Sequence, residues 1–122
     1  VAVAKGKVFL ATLNARLVAL DATTGKQLWS RPFGDVRAGE SATVAPLVVK
    51  NLVIVGSSGG EFGNRGHLDA FDIDTGEHVW RTYTVPKPGE PGSETWPAEG
   101  EPWARGGGNC WVTGTYDPEL NL

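Results

Sequence analysis

Short runs of apolar residues, each ended by a turn, recur along the chain. The segment 47–55 reads LVVKNLVIV, and its two apolar runs on either side of Lys50-Asn51 predict a β-hairpin in which Asn51 takes the left-handed conformation. Alternating stretches at 16–20 and 67–71 predict further strands. Strands near 67–72 and 78–84 then complete a four-stranded unit.

An internal repeat organises these strands. Residues 19–29 read ALDATTGKQLW and residues 70–80 read AFDIDTGEHVW, so Ala-x-Asp-x-x-Thr-Gly-x-x-x-Trp recurs at an offset of 51 residues, from Trp29 to Trp80. The Asp can accept backbone N–H groups of a turn, and the Gly supplies a positive φ. The matching places of Ala and Trp predict that an indole of one unit packs over the next. Repeats of about 40–50 residues made of short strands are typical of β-propeller blades.

The predicted fold is therefore all-β, about two propeller blades plus the start of a third. The approximate units are 1–31, 44–84 and 109–122, with a variant turn at 116–120. The connection 85–108 holds five of the eight prolines and is long for a compact array. Because it contains Trp96 and Trp103, we expect an ordered excursion packed on one face of the propeller.

Composition supports this interpretation and excludes some functions. Seventeen glycines and eight prolines in 122 residues favour many turns. The net charge of −3 is too small to indicate nucleic acid or a membrane surface, and no apolar stretch approaches the roughly 18–20 residues of a membrane span. The one cysteine, Cys110, can form no internal disulfide. A start at Val1 without methionine or signal peptide, and an end within an apolar run, lead us to expect a fragment of a longer protein.

The stretch GSSGGEFG at 56–63 places Glu61 among glycines after an apolar strand. The Gly-Lys-Ser/Thr of a phosphate loop and the G-x-G-x-x-G of a dinucleotide site are both missing. One interpretation is a Ca²⁺ ligand, with the amides of Gly59 and Gly60 holding an anionic group nearby. The alternative is a solvated Glu in a turn.

The stretch GGGNCW at 106–111 is a second candidate. Trp111 lies outside the repeat's Trp position and could stack on a flat ligand, although packing between blades is the alternative. Cys110 is expected to be a small buried apolar residue. Thr43 could present its hydroxyl to the propeller axis, and Arg65 could pair with Glu61, with an acidic ligand or in a surface salt bridge. Two histidines, His67 and His78, show no metal or triad pattern and receive no role.

Taken together, these motifs resemble the quinoprotein alcohol dehydrogenases, which use pyrroloquinoline quinone (PQQ) and fold as eight-bladed β-propellers. The resemblance rests on the Trp repeat, GSSGGEFGNRG, YTVPKPGEPGSETW and GGGNCW…YDPELNL, and it covers nearly the whole chain. It implies that Glu61 ligates a Ca²⁺ or lanthanide ion. It implies PQQ contacts for Thr43, Ser58, Gly59, Gly60, Asn109 and Trp111. Relatives often carry Thr where this chain has Asn109, so that contact departs from the family pattern.

The resemblance also implies a reaction and its setting. A primary alcohol would be oxidised to an aldehyde, and the electrons would pass to a cytochrome c-type acceptor in the periplasm. It places the catalytic Asp and a second metal-ligating Asn after Leu122, and a disulfide between adjacent cysteines before Val1, so no catalytic residue is expected here. The alternative function is a non-catalytic propeller scaffold built from similar repeats, which would need Trp29 and Trp80 but neither Glu61 nor Trp111.

Overall fold

Two four-stranded antiparallel sheets, each with its strands in chain order, make up the regular structure of the chain. They are seen in a computed structural model that describes residues 1–97 and 99–122. The strands of the first sheet are β1 (Ala2–Ala4), β2 (Lys7–Thr12), β3 (Arg16–Asp21) and β4 (Gln27–Pro32), and those of the second are β5 (Leu47–Val49), β6 (Leu52–Gly56), β7 (His67–Asp72) and β8 (His78–Tyr83). The all-β prediction is confirmed.

The repeat's Asp closes the β3–β4 and β7–β8 turns as predicted. The Oδ1 atom of Asp21 accepts hydrogen bonds from the backbone N–H groups of Thr23 and Thr24, at 3.0 and 2.7 Å. In the second sheet, Asp72 makes the same contacts with the two corresponding backbone N–H groups. Accepting these bonds favours the ionised carboxylate, so the pKa of Asp72 lies below its ordinary value, chiefly because of the backbone N–H of Thr75.

Two other turns were predicted from the sequence, one at 116–120 and one between β5 and β6. Asp117 accepts from the backbone N–H groups of Glu119 and Leu120, so the predicted turn at 116–120 is present, although no strand is assigned within 109–122. In the β5–β6 hairpin the prediction for Asn51 was wrong: the residue with positive φ is Lys50, at 56°. The pairing of Val49 with Leu52 confirms the predicted two-residue turn, Lys50-Asn51.

The two sheets share one apolar core. Their first strands, β1 and β5, contact each other, and the core joins Phe9, Leu17 and Trp29 of the first sheet to Val53 and Phe71 of the second. A four-stranded sheet cannot cover both of its faces alone, so each sheet depends on its neighbour for burial.

A direct contact between the sheets involves a glycine of the second repeat turn. The indole of Trp29 lies so close to Gly76 that a Cβ built there would stand 2.6 Å from the Trp29 Cδ2 atom. The side chain of Arg31 donates to the backbone oxygen of Gly76 at 3.0 Å. Tryptophan docking in every unit and the number of eight blades remain predictions.

The excursion 85–108 is held to the second sheet by Arg65. The Arg65 guanidinium donates to the backbone oxygen of Val85, forms an ion pair with Glu90, and lies 3.9 Å from the ring centre of Tyr83. The interpretation of Arg65 as a partner of Glu61 is therefore corrected: its carboxylate partner is Glu90, because the Pro-rich segment folds back over β8.

Short 3₁₀ turns at Ser93–Thr95 and Pro102–Ala104 are the regular elements of this excursion. Trp96 is 39% exposed and Trp103 is half-buried, so the two indoles are covered less than expected. Among the described residues, no helix is long and apolar enough to cross a membrane.

The contact of Trp29 with Gly76 predicts a difference between two glycine substitutions. Gly76→Ala and Gly6→Ala both place Ala at a positive φ, 69° and 68°, but a Cβ at Gly6 meets nothing within 4 Å. Both variants should lose about 1–2 kcal/mol from backbone strain, and Gly76→Ala should lose about 1–3 kcal/mol more by overpacking. Thermal unfolding of the two variants checks this, and equal losses would contradict a packed Trp29.

Candidate functional site

A single cavity of about 540 Å³ gathers the residues that the sequence singles out. Its walls come from the connection between the two sheets, the loop after β6, and the segment that follows the Pro-rich excursion. The lining residues are Ser41, Thr43, Ser58, Gly59, Gly60, Glu61, Gly107, Gly108, Asn109 and Trp111. All seven predicted cofactor and metal residues thus lie around one space, although their roles remain predictions.

Glu61 reaches this cavity from a single 3₁₀ turn, Gly60–Phe62, that begins four residues after β6 ends. Glycines with positive φ, Gly59 at 102° and Gly63 at 84°, start and end the turn. The Glu61 side chain is exposed, and within residues 1–97 and 99–122 no hydrogen bond or ion pair engages its carboxylate. This free carboxylate is available to a cation in the cavity.

The hydroxyl groups of Thr43 and Ser58 lie beside the loop that carries Glu61. The Oγ atoms of Thr43 and Ser58 are 2.9 Å apart, and the backbone N–H of Thr43 donates to Ser58 Oγ at 3.2 Å. Two backbone hydrogen bonds between Ser41 and Ser58 fix the segments side by side. The pair presents hydroxyl donors and acceptors at one defined place on the wall.

The glycines of the loop are needed for packing between loops. A Cβ at Gly59 would stand 2.1 Å from the backbone oxygen of Gly39, and one at Gly60 would stand 2.3 Å from Asn109 Oδ1. Real Cβ atoms do not approach so closely, so any other residue would push the walls apart. The sequence argument assigned these glycines to a ligand, whereas the structure shows that neighbouring protein segments already require them.

Asn109 joins the second and third walls. Its Nδ2 atom donates to Ser57 Oγ at 3.2 Å and to Asn64 Oδ1 at 3.0 Å. Its Oδ1 atom is buried and has no hydrogen-bond partner among the described residues. The amide donors are thus used inside the protein, and a ligand that carries a donor would satisfy the remaining oxygen.

Trp111 differs in its surroundings from the tryptophan of the first repeat. Its side chain is 62% exposed on the cavity wall, whereas Trp29 is 6% exposed in the core. A flat indole open on one side of a cavity is suited to stacking on a planar ligand. Its neighbour Cys110 is half-buried. Cys110 is a free thiol and lines a separate apolar cavity.

The metal-binding capacity of the site rests on Glu61. Among the described residues, no group of three or more His, Cys, Asp or Glu side chains could hold a metal ion. Ca²⁺ takes 6–8 oxygen ligands, so a cation here needs oxygens from a bound organic group or from other chain segments. The residues fit a planar, anionic cofactor with a metal: one free carboxylate, two hydroxyls, an open indole and an unpaired amide oxygen.

Sequence reasoning missed a buried polar cluster behind this site. His67 and Asp69 are 1% and 0% exposed, and the Asp69 carboxylate accepts hydrogen bonds from His67, His78 and Arg81. Burial alone raises the pKa of Asp69, but the three donors more than offset it, so the pKa lies below its ordinary value. The signal was the i, i+2 spacing of His67 and Asp69, which puts both on one face of a strand.

The chain is similar to known proteins over nearly its whole length. A family model described as "PQQ: Glucose/ethanol/alcohol dehydrogenase, beta-propeller domain" matches residues 2–122. The chain is 47% identical to a lanthanide-dependent methanol dehydrogenase of Methylacidiphilum fumariolicum, over 99% of this chain and 22% of the relative. It is 40% identical to subunit 1 of a methanol dehydrogenase [cytochrome c] of Methylorubrum extorquens, over 90% of this chain and 20% of the relative.

The chain is also similar in structure to a solved protein. A europium-containing methanol dehydrogenase superimposes with a TM-score of 0.89 and 46% identity, over 98% of this chain and 23% of that chain. The chain therefore spans about a fifth of the length of the relatives it matches.

The close approach of Gly60 to Asn109 generates a stability prediction. Gly60→Ala should lower the free energy of unfolding by about 1–3 kcal/mol, because its Cβ overlaps the Asn109 amide. In an Asn109→Ala background the same change should cost less, since the overlapping atoms are gone. Denaturant unfolding of the two single variants and the double variant measures the coupling. Strict additivity would show that the two loops do not meet as described.

Proposed function

We propose that this chain, which belongs to the family of glucose/ethanol/alcohol dehydrogenase β-propeller domains, supplies one wall of a PQQ- and metal-binding site in an alcohol dehydrogenase. The observation that carries the proposal is the single cavity shared by Glu61, the paired hydroxyls of Thr43 and Ser58, and the open face of Trp111. These groups come from three segments up to 68 residues apart, from Thr43 to Trp111.

Each group has a distinct task in this proposal. Glu61 holds the metal ion through its free carboxylate, as hard cations require oxygen ligands. One O–H of the Ser58–Thr43 pair is used between the two residues, so the pair donates the other to an anionic group of the cofactor, and Trp111 stacks on its ring plane. When bound, the quinone cofactor would supply the redox chemistry, and the metal ion would act as a Lewis acid.

The chain's own residues bind and orient, and they leave proton transfer to another part of the protein. Within the described residues, Glu61 is the one carboxylate on the cavity wall, and a metal ligand is not free to act as a base. The family resemblance assigns the base to an Asp after Leu122.

The metal, substrate and partner follow from the relatives. One relative is named as lanthanide-dependent and one solved structure contains europium, so we propose a lanthanide ion or Ca²⁺ at Glu61. Both curated relatives described above are named methanol dehydrogenases, so we propose a small primary alcohol as substrate. The cytochrome c in the name of one of them supports a cytochrome c-type acceptor. A periplasmic location is proposed from the family resemblance alone.

Removing the charge of Glu61 should abolish metal-dependent retention of PQQ. Glu61→Gln keeps the shape of the side chain but removes its negative charge, so affinity should fall at least about tenfold, or about 1.4 kcal/mol. Equilibrium dialysis of the protein containing this chain, with PQQ and either Ca²⁺ or La³⁺, measures the loss. Glu77→Gln, an exposed acid in a repeat turn outside the cavity, is the control. Unchanged retention in Glu61→Gln would reject the metal role.

Truncating the open indole should weaken PQQ binding without removing the metal. Trp111→Ala should cost roughly 1–3 kcal/mol of binding free energy, the scale of a lost aromatic contact and its buried area. The same dialysis measures it, and Trp96→Ala, which truncates a partly exposed indole outside the cavity, is the matched control. If both variants bind PQQ as the parent does, Trp111 does not form the floor of the site.

A further inference from the structure

A buried chain of ionisable groups lies behind the cavity and has no part in the proposed chemistry. The ring of His67 is 1% exposed, and both of its nitrogens face carboxylates. Its Nδ1 atom is 2.6 Å from Asp69 Oδ2, and its Nε2 atom is 3.0 Å from Glu40 Oε1. Arg81 donates through Nε to Asp69 Oδ1 at 2.9 Å.

Each ring nitrogen of His67 lies within hydrogen-bond distance of a different carboxylate. A neutral imidazole has one N–H and satisfies one of the two carboxylates, whereas an imidazolium donates to both. Asp69 also accepts from Arg81 and contacts His78 Nε2, so these groups form one connected set of hydrogen bonds. An unpaired buried charge is costly, so each member holds the others in place.

These groups attach the two ends of one connecting segment, residues 33–41, to the second sheet: one end to β8 and the other to β7. At the first end, Arg81 donates to the backbone oxygen of Phe33. At the other end, Glu40 contacts His67 and also accepts from the backbone N–H of Asp35 at 2.5 Å. Asp69, fully buried on β7, is bonded to both Arg81 and His67.

The segment held in this way leads directly into the cavity wall. Ser41 follows Glu40, pairs through its backbone with Ser58, and is followed by Thr43. On the other side, the backbone N–H of His67 donates to Ser57 Oγ at 3.0 Å, and Ser57 Oγ also accepts from Asn109. His67 is thus bonded to all three walls, directly or through one residue.

We infer that His67 is a positioning residue that sets the Ser41–Thr43 wall against the loop of Glu61 by bridging Glu40 and Asp69. The inference rests on the proposed function in that the wall so positioned is the one that would bind PQQ. It extends that function, because His67 lies outside the cavity lining and touches neither the metal nor the cofactor.

The test uses two histidines that share one carboxylate. His67→Asn keeps a donor near the Nδ1 position for Asp69 but does not reach Glu40, so the bridge is cut. His78→Asn is the matched control, because His78 Nε2 bonds to the same Asp69 at 2.7 Å, while no described contact joins it to Glu40. A core variant such as Leu17→Ala, remote in sequence from the cavity and fully buried, controls for general loss of thermal stability.

Two readouts are measured in the protein containing this chain. His67→Asn should weaken PQQ affinity at least tenfold in the presence of La³⁺ or Ca²⁺, and hydrogen exchange should become faster in peptides covering residues 38–43 and 57–60. His78→Asn and Leu17→Ala should stay within twofold of the parent in both readouts. His67→Asn binding within twofold of the parent, or an equal loss in His78→Asn, would overturn the inference.

A second variant cuts the same contact from the less buried side and keeps the test open if His67→Asn folds poorly. Glu40→Ala should give the same loss of affinity and the same faster exchange, and the double variant should be no worse than either single one. Full additivity of the two losses would overturn the inference. If the parent protein binds no PQQ while the exchange contrast between His67→Asn and His78→Asn persists, the proposed function fails and the positioning of the wall stands.

Discussion

The candidate site exists because three chain segments approach one another more closely than side chains allow. The loop of Glu61 lies against the connection between the sheets at Gly59, and against the third segment at Gly60. At both contacts a Cβ would overlap a neighbouring oxygen, so glycine is a steric requirement of the assembled walls. This tight backbone packing leaves Glu61 and Trp111 as the side chains with most freedom to meet a ligand.

The polar groups of the site fall into two sets. Some are hydrogen-bonded to other protein groups, and others have no protein partner in the described part of the chain. Asn109 donates to Ser57 and Asn64, and Asn64 donates to the backbone oxygen of Gly59, so these bonds hold the loops together. Glu61 and the outer face of Trp111 have no such engagement among the described residues, and the Asn109 oxygen lacks a donor. The bonds that hold the loops are satisfied within the protein, while acceptors at the cavity stay unpaired in the part of the chain that the structure describes, so the site is pre-organised for a metal ion together with a planar ligand.

The buried ions behind the site suggest why its geometry can persist in a structure made of short strands and long connections. Loops packed mainly through backbone contacts gain little from apolar burial. The polar cluster of His67, Asp69 and Arg81 instead ties the connecting segment to the second sheet at two points, Phe33 to β8 and Glu40 to β7. Pairing each buried charge with another limits the cost of burying it, and breaking one pair exposes the rest of the cluster to that cost.

Local sequence determined the elements and the candidate residues. The Asp-x-x-Thr-Gly turns, the alternating strands and the identity of Glu61, Thr43 and Trp111 could be read directly, because turn chemistry and strand periodicity act over a few residues. Tertiary structure decided what those rules do not reach. The ion pair of Arg65 with Glu90, the contact of His67 with Glu40 and the bond of Asn109 to Ser57 join residues 25–52 positions apart. Such contacts depend on how the sheets and loops fold back on one another in space. A local sequence pattern covers only a few residues and cannot specify contacts between residues so far apart in the chain.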